Sequence, residues 1–166
     1  PLRRSTWAVA TTATTTALGG GARSLPSGVL WFELLNNETI IATTVSDTLF
    51  DERILDCAAL EELGPALQDI MVHLELRGRT GAFECRVSLQ YKYQDGEWGP
   101  TPPTDVVLPL VSTEDYVLSS PYSDRARLGR RRIRLVLQYR TNATGNGTVG
   151  DRGQLSIAVA CRPFCC

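Results

Sequence analysis

Lysine is nearly missing from this chain: of 17 basic side chains, 16 are arginine and only Lys92 is lysine. Its cations therefore favour planar, bidentate contacts over point-charge ones. An excess of either charge is missing too. The net charge of −1 leaves no overall field to draw the protein to nucleic acid or an anionic membrane. No apolar run approaches the roughly 20 residues that a helical membrane span needs. Ala8 to Ala17 is mostly Thr and Ala and lacks the apolar core of a signal peptide. His73 is the only histidine, so Ser-His-Asp or Cys-His chemistry has a single residue to use. No nucleophile-elbow or catalytic-cysteine pattern accompanies it. Neither a CxxC pair nor a second histidine supplies zinc spacing. Calcium would have to draw on Asp95, Glu97, Glu114, Asp115, Asp124 or Asp151, none of which forms an EF-hand-like series. The expectation is a chain with no cofactor and no metal.

Strand-like alternation is what the chain has in quantity. Phe83, Cys85, Val87, Leu89, Tyr91 and Tyr93 alternate with Glu84, Arg86, Ser88, Gln90, Lys92 and Gln94. Successive strand side chains face opposite sides, so the pattern predicts one buried and one wet face. Ile70, Val72, Leu74 and Leu76 alternate likewise with Met71, His73, Glu75 and Arg77. Gly78-Arg79-Thr80-Gly81 lies between, which predicts a long antiparallel hairpin over Leu67 to Trp98. That hairpin would bring Glu75 near Glu84, a pair with the makings of glycosidase carboxylates. Arg77, Arg86 and Lys92 around them favour an ion-paired wet surface instead.

Residues 1–28 combine Pro1-Leu2-Arg3-Arg4, a Thr/Ala tract, Gly19-Gly20-Gly21 and Leu25-Pro26-Ser27-Gly28, a composition unsuited to a core. They read as an extended N-terminal arm or linker, with residues 29–166 as the domain. Val29 to Leu35 predicts a first strand, Asn36-Asn37 a turn, and Thr39 to Val45 a second strand. Asp51 to Leu55 suits a short strand, and Cys57 to Leu63 one helical turn before Gly64-Pro65. Val106 to Leu110 reads as a strand that Pro109 confines to an edge. Tyr116 to Leu118 adds a brief piece, and Ser119 to Gly129 reads as loop. Arg132 to Arg140 and Leu155 to Cys161 alternate clearly. About eight strands with turn signals between them imply an all-β, antiparallel two-sheet sandwich or jelly roll.

Tyr91-Lys92-Tyr93-Gln94-Asp95-Gly96-Glu97-Trp98 resembles the strand-turn-Trp phrase of fibronectin type III and carbohydrate-binding sandwiches. The resemblance implies that Trp98 could serve as a sugar platform, with Tyr91 and Tyr93 in the core. Three Asn-x-Thr triplets begin at Asn37, Asn142 and Asn146, and would accept glycans in a secreted eukaryotic protein.

The densest charge run holds Arg125, Arg127, Arg130, Arg131, Arg132 and Arg134. With few aromatics interleaved, it suits a carboxylate-rich protein partner better than nucleic acid. The cysteine count is five, so at least one thiol has no partner within the chain. Cys85 and Cys161 fall on inward faces, while Cys57 lies in the expected helical turn. Cys165 and Cys166 are candidates for bonds between subunits.

Without a catalytic set, the sequence points to a non-enzymatic structural subunit that assembles with copies of itself or docks on a larger particle. Virion, tail, fibre and surface assembly all fit, and a virion or extracellular surface is favoured over cytoplasm. The expected contacts are Arg125, Arg127, Arg130, Arg131, Trp7, Arg3 and Arg4. The alternative is a secreted carbohydrate-binding module that uses Trp98 and adjacent loops.

Overall fold

Side chains that alternate in and out give each long strand one face to bury, and two sheets bury those faces against each other. The computed structural model describes residues 22–24, 30–55, 67–113, 116–122 and 133–163, and every regular element among them is a strand. The first sheet contains β1 (Ala22–Ser24), β2 (Leu30–Ile41), β4 (Leu67–Arg77), β8 (Tyr116–Tyr122) and β10 (Arg152–Pro163), in the order β1-β2-β10-β4-β8. The second contains β3 (Asp51–Ile54), β5 (Phe83–Lys92), β6 (Trp98–Gly99), β7 (Asp105–Val111) and β9 (Ile133–Thr141). Its order is β3-β9-β5, with β6 and β7 both along the far side of β5. All strand pairs are antiparallel. From β2 onward the chain changes sheet at each step except β5 to β7, which is a jelly-roll-like wrapping of a two-sheet sandwich.

The core lies between the sheets. Ile70, Val72, Leu74 and Leu76 of β4 and Leu155, Ile157 and Val159 of β10 face Phe83, Cys85, Val87, Leu89 and Tyr91 of β5 and Ile133, Leu135 and Leu137 of β9. Each such Leu, Ile, Val or Phe contributes about 1.5–3 kcal/mol by leaving water. Cys85 is an inert part of this core, its thiol pushed up to about 12 by burial and, secondarily, by the Glu84 carboxylate.

The predicted hairpin is absent. β4 pairs with β10 and β8, whereas β5 pairs with β9, β6 and β7, so the two strands belong to different sheets. Gly78 and Gly81, with φ of 55° and 57°, turn the chain from one sheet to the other. Alternation fixes which face a strand buries, not which strand it pairs with. Asn36-Asn37 is likewise no turn, because β2 runs through it. Leu35 and Glu38 stand opposite Ile157 and Leu155, which leaves an extra residue on β2, and Asn37 takes a φ of 51°. This is a β-bulge on a residue that tolerates left-handed backbone. Ser119 to Tyr122, read as loop, is the second half of β8 and pairs with Ile70 to His73. Pro109 sits at a register shift in edge strand β7, where its missing N–H costs nothing. Ala22–Ser24, within the expected arm, pairs with β2. The helical turn over Cys57 to Leu63 lies outside the described residues.

Candidate interaction surfaces

The outer face of the second sheet was expected to be wet, and it is not. Glu84, Ser88 and Gln90 of β5 and Gln138 and Arg140 of β9 are all under 7% exposed. Register sets Glu84 against Arg140, Arg86 against Gln138, and Gln90 against Arg134. Arg140 Nη2 lies 2.8 Å from Glu84 Oε1, and Asn142 adds a longer bond to the same carboxylate. Gln138 Oε1 accepts from Arg86 Nε at 2.9 Å and Ser88 Oγ at 2.8 Å, while Gln138 Nε2 donates to Glu52 at 2.8 Å. Gln90 accepts from Arg134 Nε and donates to the Pro100 carbonyl, both at 3.0 Å. The Phe50 ring is covered by Arg86 at 4.3 Å and Arg140 at 4.2 Å. Burial, and then the like charge of Arg140, pulls the Arg86 pKa down. Residues outside the strands thus lie over this face at both ends: Phe50 at one, and the segment at Pro100 and Thr101 at the other.

At one end of the sandwich, loops 42–50, 78–82 and 142–151 are held by three aspartates. Asp51 accepts from the amides and hydroxyls of both Thr43 and Thr44, at 2.6–3.0 Å. Asp151 accepts from Ala82 N, Thr141 Oγ1, and the amide and hydroxyl of Thr148. Asp47 accepts from Thr144 N and Oγ1. Burial raises the pKa of Asp51 and Asp151, but the hydrogen bonds of their threonines outweigh it and hold both below the usual carboxylate value. The Thr144 hydroxyl lowers Asp47 in the same way. On this braced frame Leu49 and Val149 are each 67% exposed, with Ile41 and Val45 beside them in the same loops and strand end.

The other sequence candidates fall as follows. Glu75 and Glu84 lie on opposite outer faces of the sandwich, since their strands belong to different sheets and both alternate away from the core. Glu75 is lowered first by its contact with His73 and then by Arg77. His73 Nε2 is 3.4 Å from Glu75 Oε2, and its ring is 6.2 Å from Trp31. Trp98 is half-buried, with the Arg134 guanidinium over its ring at 4.6 Å and the Lys92 ammonium at 5.6 Å. Tyr91 is core, but Tyr93 is 40% exposed, because the strand ends at Lys92 and the turn carries Tyr93 out over Gly99. Among the calcium candidates, Asp151 is engaged as above and Asp95 caps the Glu97 amide. Glu114, Asp115 and Asp124 have no described side chains. The contact residues Arg3, Arg4, Trp7, Arg125, Arg127, Arg130 and Arg131 and the thiols of Cys165 and Cys166 lie outside the described residues.

No protein-family profile matches the chain, and no curated protein is similar to it in sequence. Solved structures similar to it include infectious bursal disease virus, Gt strain, at 14% identity and a TM-score of 0.49 over 81% of this chain. The Gx strain of the same virus gives 11% and 0.47 over 80%. The VP2 subviral particle of infectious bursal disease virus gives 14% and 0.48 over 80%. This chain spans 34%, 32% and 32% of those chains, about a third of each.

Proposed function

We propose that this chain is a non-enzymatic structural subunit, a β-sandwich that assembles with copies of itself or docks on a larger particle, whether virion, tail, fibre or surface assembly. The reading rests on the chain's own geometry. The carrying observation is how its charged groups are used. Carboxylates that the sequence offered for catalysis or metal binding hold architecture instead: Glu84 holds Arg140, Glu75 holds Arg77 and His73, and Asp151 holds loops. From the braced end two aliphatic side chains, Leu49 and Val149, project among exposed polar residues such as Thr48 and Asn146. Such a surface suits contact between protein subunits. The N-terminal arm and the Arg125 to Arg131 run supply further contacts in this reading, the arginines pairing with carboxylates of a neighbour.

Light scattering after size exclusion, with electron microscopy of the intact chain, tests the proposal. The expected result is oligomers or particles, reduced when residues 1–28 are removed. A clean monomer that is indifferent to the removal would overturn it.

A further inference from the structure

β2 is twelve residues long and pairs with β10 from Leu30 to Ile41, but β1 covers only Leu30 to Phe32 on its other side. Among the described residues, Leu34 to Ile41 therefore have a strand on one side alone. An open edge of this kind is a template for another strand. It is guarded in the middle by the bulge at Asn36-Asn37 and by Glu38, which Arg53 of β3 holds in an ion pair. Beyond the guard, Ile41 is 51% exposed at the end of the strand.

We propose that this edge, from Leu34 to Ile41, receives the Thr/Ala tract of residues 8–17 from a second copy of the chain as an added strand. The inference rests on the assembly reading above and names the contact through which it operates.

The sequence upstream of β1 supplies the donor. Residues 8–17 contain Val9, Thr11, Thr12, Thr14, Thr15 and Thr16 among alanines, without Pro, Gly or charge. β-Branched residues favour extended backbone, and an uncharged tract meets no conflict with the balanced Glu38–Arg53 pair.

The link between tract and domain argues for a second copy over the chain's own edge. Ala22 pairs with Phe32, so prolonging β1 backward in register would set Gly21, Gly20 and Gly19 against Glu33, Leu34 and Leu35. Three consecutive glycines weaken a strand and make a flexible tether. Fully extended, its ten residues span about 33 Å, enough to line the open part of the edge in a neighbouring subunit.

The test uses the full chain in light and heavy isotopic forms, mixed, with a photo-crosslinking residue in place of Ala13. The expected product joins a heavy tract to a light Leu34–Ile41 segment, and the reverse. Crosslinks confined to a single isotope, or landing on other segments, would overturn the inference. A second arm introduces Thr12→Pro with Thr14→Pro, which removes two N–H donors from the tract. Association should weaken about tenfold or more, the loss that two ladder bonds imply. Unchanged association refutes the strand-addition site and leaves the assembly reading standing. A chain that is monomeric before any substitution refutes both.

Discussion

Asp151→Ala is the substitution that most directly probes the braced end of the sandwich. Asp151 accepts from Ala82 N at 3.1 Å and Thr141 Oγ1 at 2.6 Å, both buried donors, and from Thr148 N and Oγ1, which can turn to water. A hydrogen bond to a charged acceptor contributes roughly 1.5–3 kcal/mol, and a buried donor left unmade carries its full desolvation penalty. Counting only the two buried donors, the loss is about 3–6 kcal/mol. For a chain of this size that lowers Tm by about 6–24 °C. Urea denaturation should show the midpoint falling with an unchanged m-value.

The same substitution carries a pH signature. In the folded chain the Asp151 pKa lies below its ordinary value despite burial, because Thr141, Thr148 and Ala82 donate to it. A depressed folded pKa stabilises above the unfolded pKa, about 3.9, and that contribution is lost as pH falls through the folded value. The gap between native and variant should be full at neutral pH and shrink below about pH 4. A gap under about 1 kcal/mol, the net worth of one ordinary hydrogen bond, or one of constant size down to strong acid, would refute the reasoning.

Two further outcomes follow from the buried groups. Arg140→Met strands the Glu84 carboxylate, which is 5% exposed, and should cost about 3–5 kcal/mol in chemical denaturation; pairing it with Glu84→Leu should recover most of that, and a double variant as weak as the single would contradict the account. Cys85 should resist thiol reagents at mildly alkaline pH in the native chain and react once urea unfolds it, since its thiol is buried and its pKa lies at about 12. Label recovered on Cys85 from native protein, read by peptide mass, would overturn that placement.

Strand identity was legible because period-two alternation survives any pairing: Phe83 to Tyr91 and Ile70 to Leu76 bury the faces their sequences assign. Partnership was not legible. Gly78 to Gly81 carries the same left-handed glycines whether it closes a hairpin or crosses between sheets, and local sequence does not distinguish the two. The same ambiguity hid the Glu84–Arg140 pair, whose members are 56 residues apart and meet only through the register of β5 with β9. The aspartate braces left a fainter trace. Thr148 and Asp151, three residues apart, have turn-forming spacing, as do Ser46, Thr48 and Leu49 at the Ser46 hydroxyl. Read one at a time, Asp151 passes for a loop calcium ligand. Its threonine neighbours become visible only once loops distant in sequence are gathered at one end.

β10 lies between β2 and β4 and supplies the ladder for both. During synthesis, the first sheet therefore lacks its middle until residues 152–163 have left the ribosome. A product that stops short of β10 would hold β2 and β4 without the strand that joins them, so the first sheet cannot close before that strand is made.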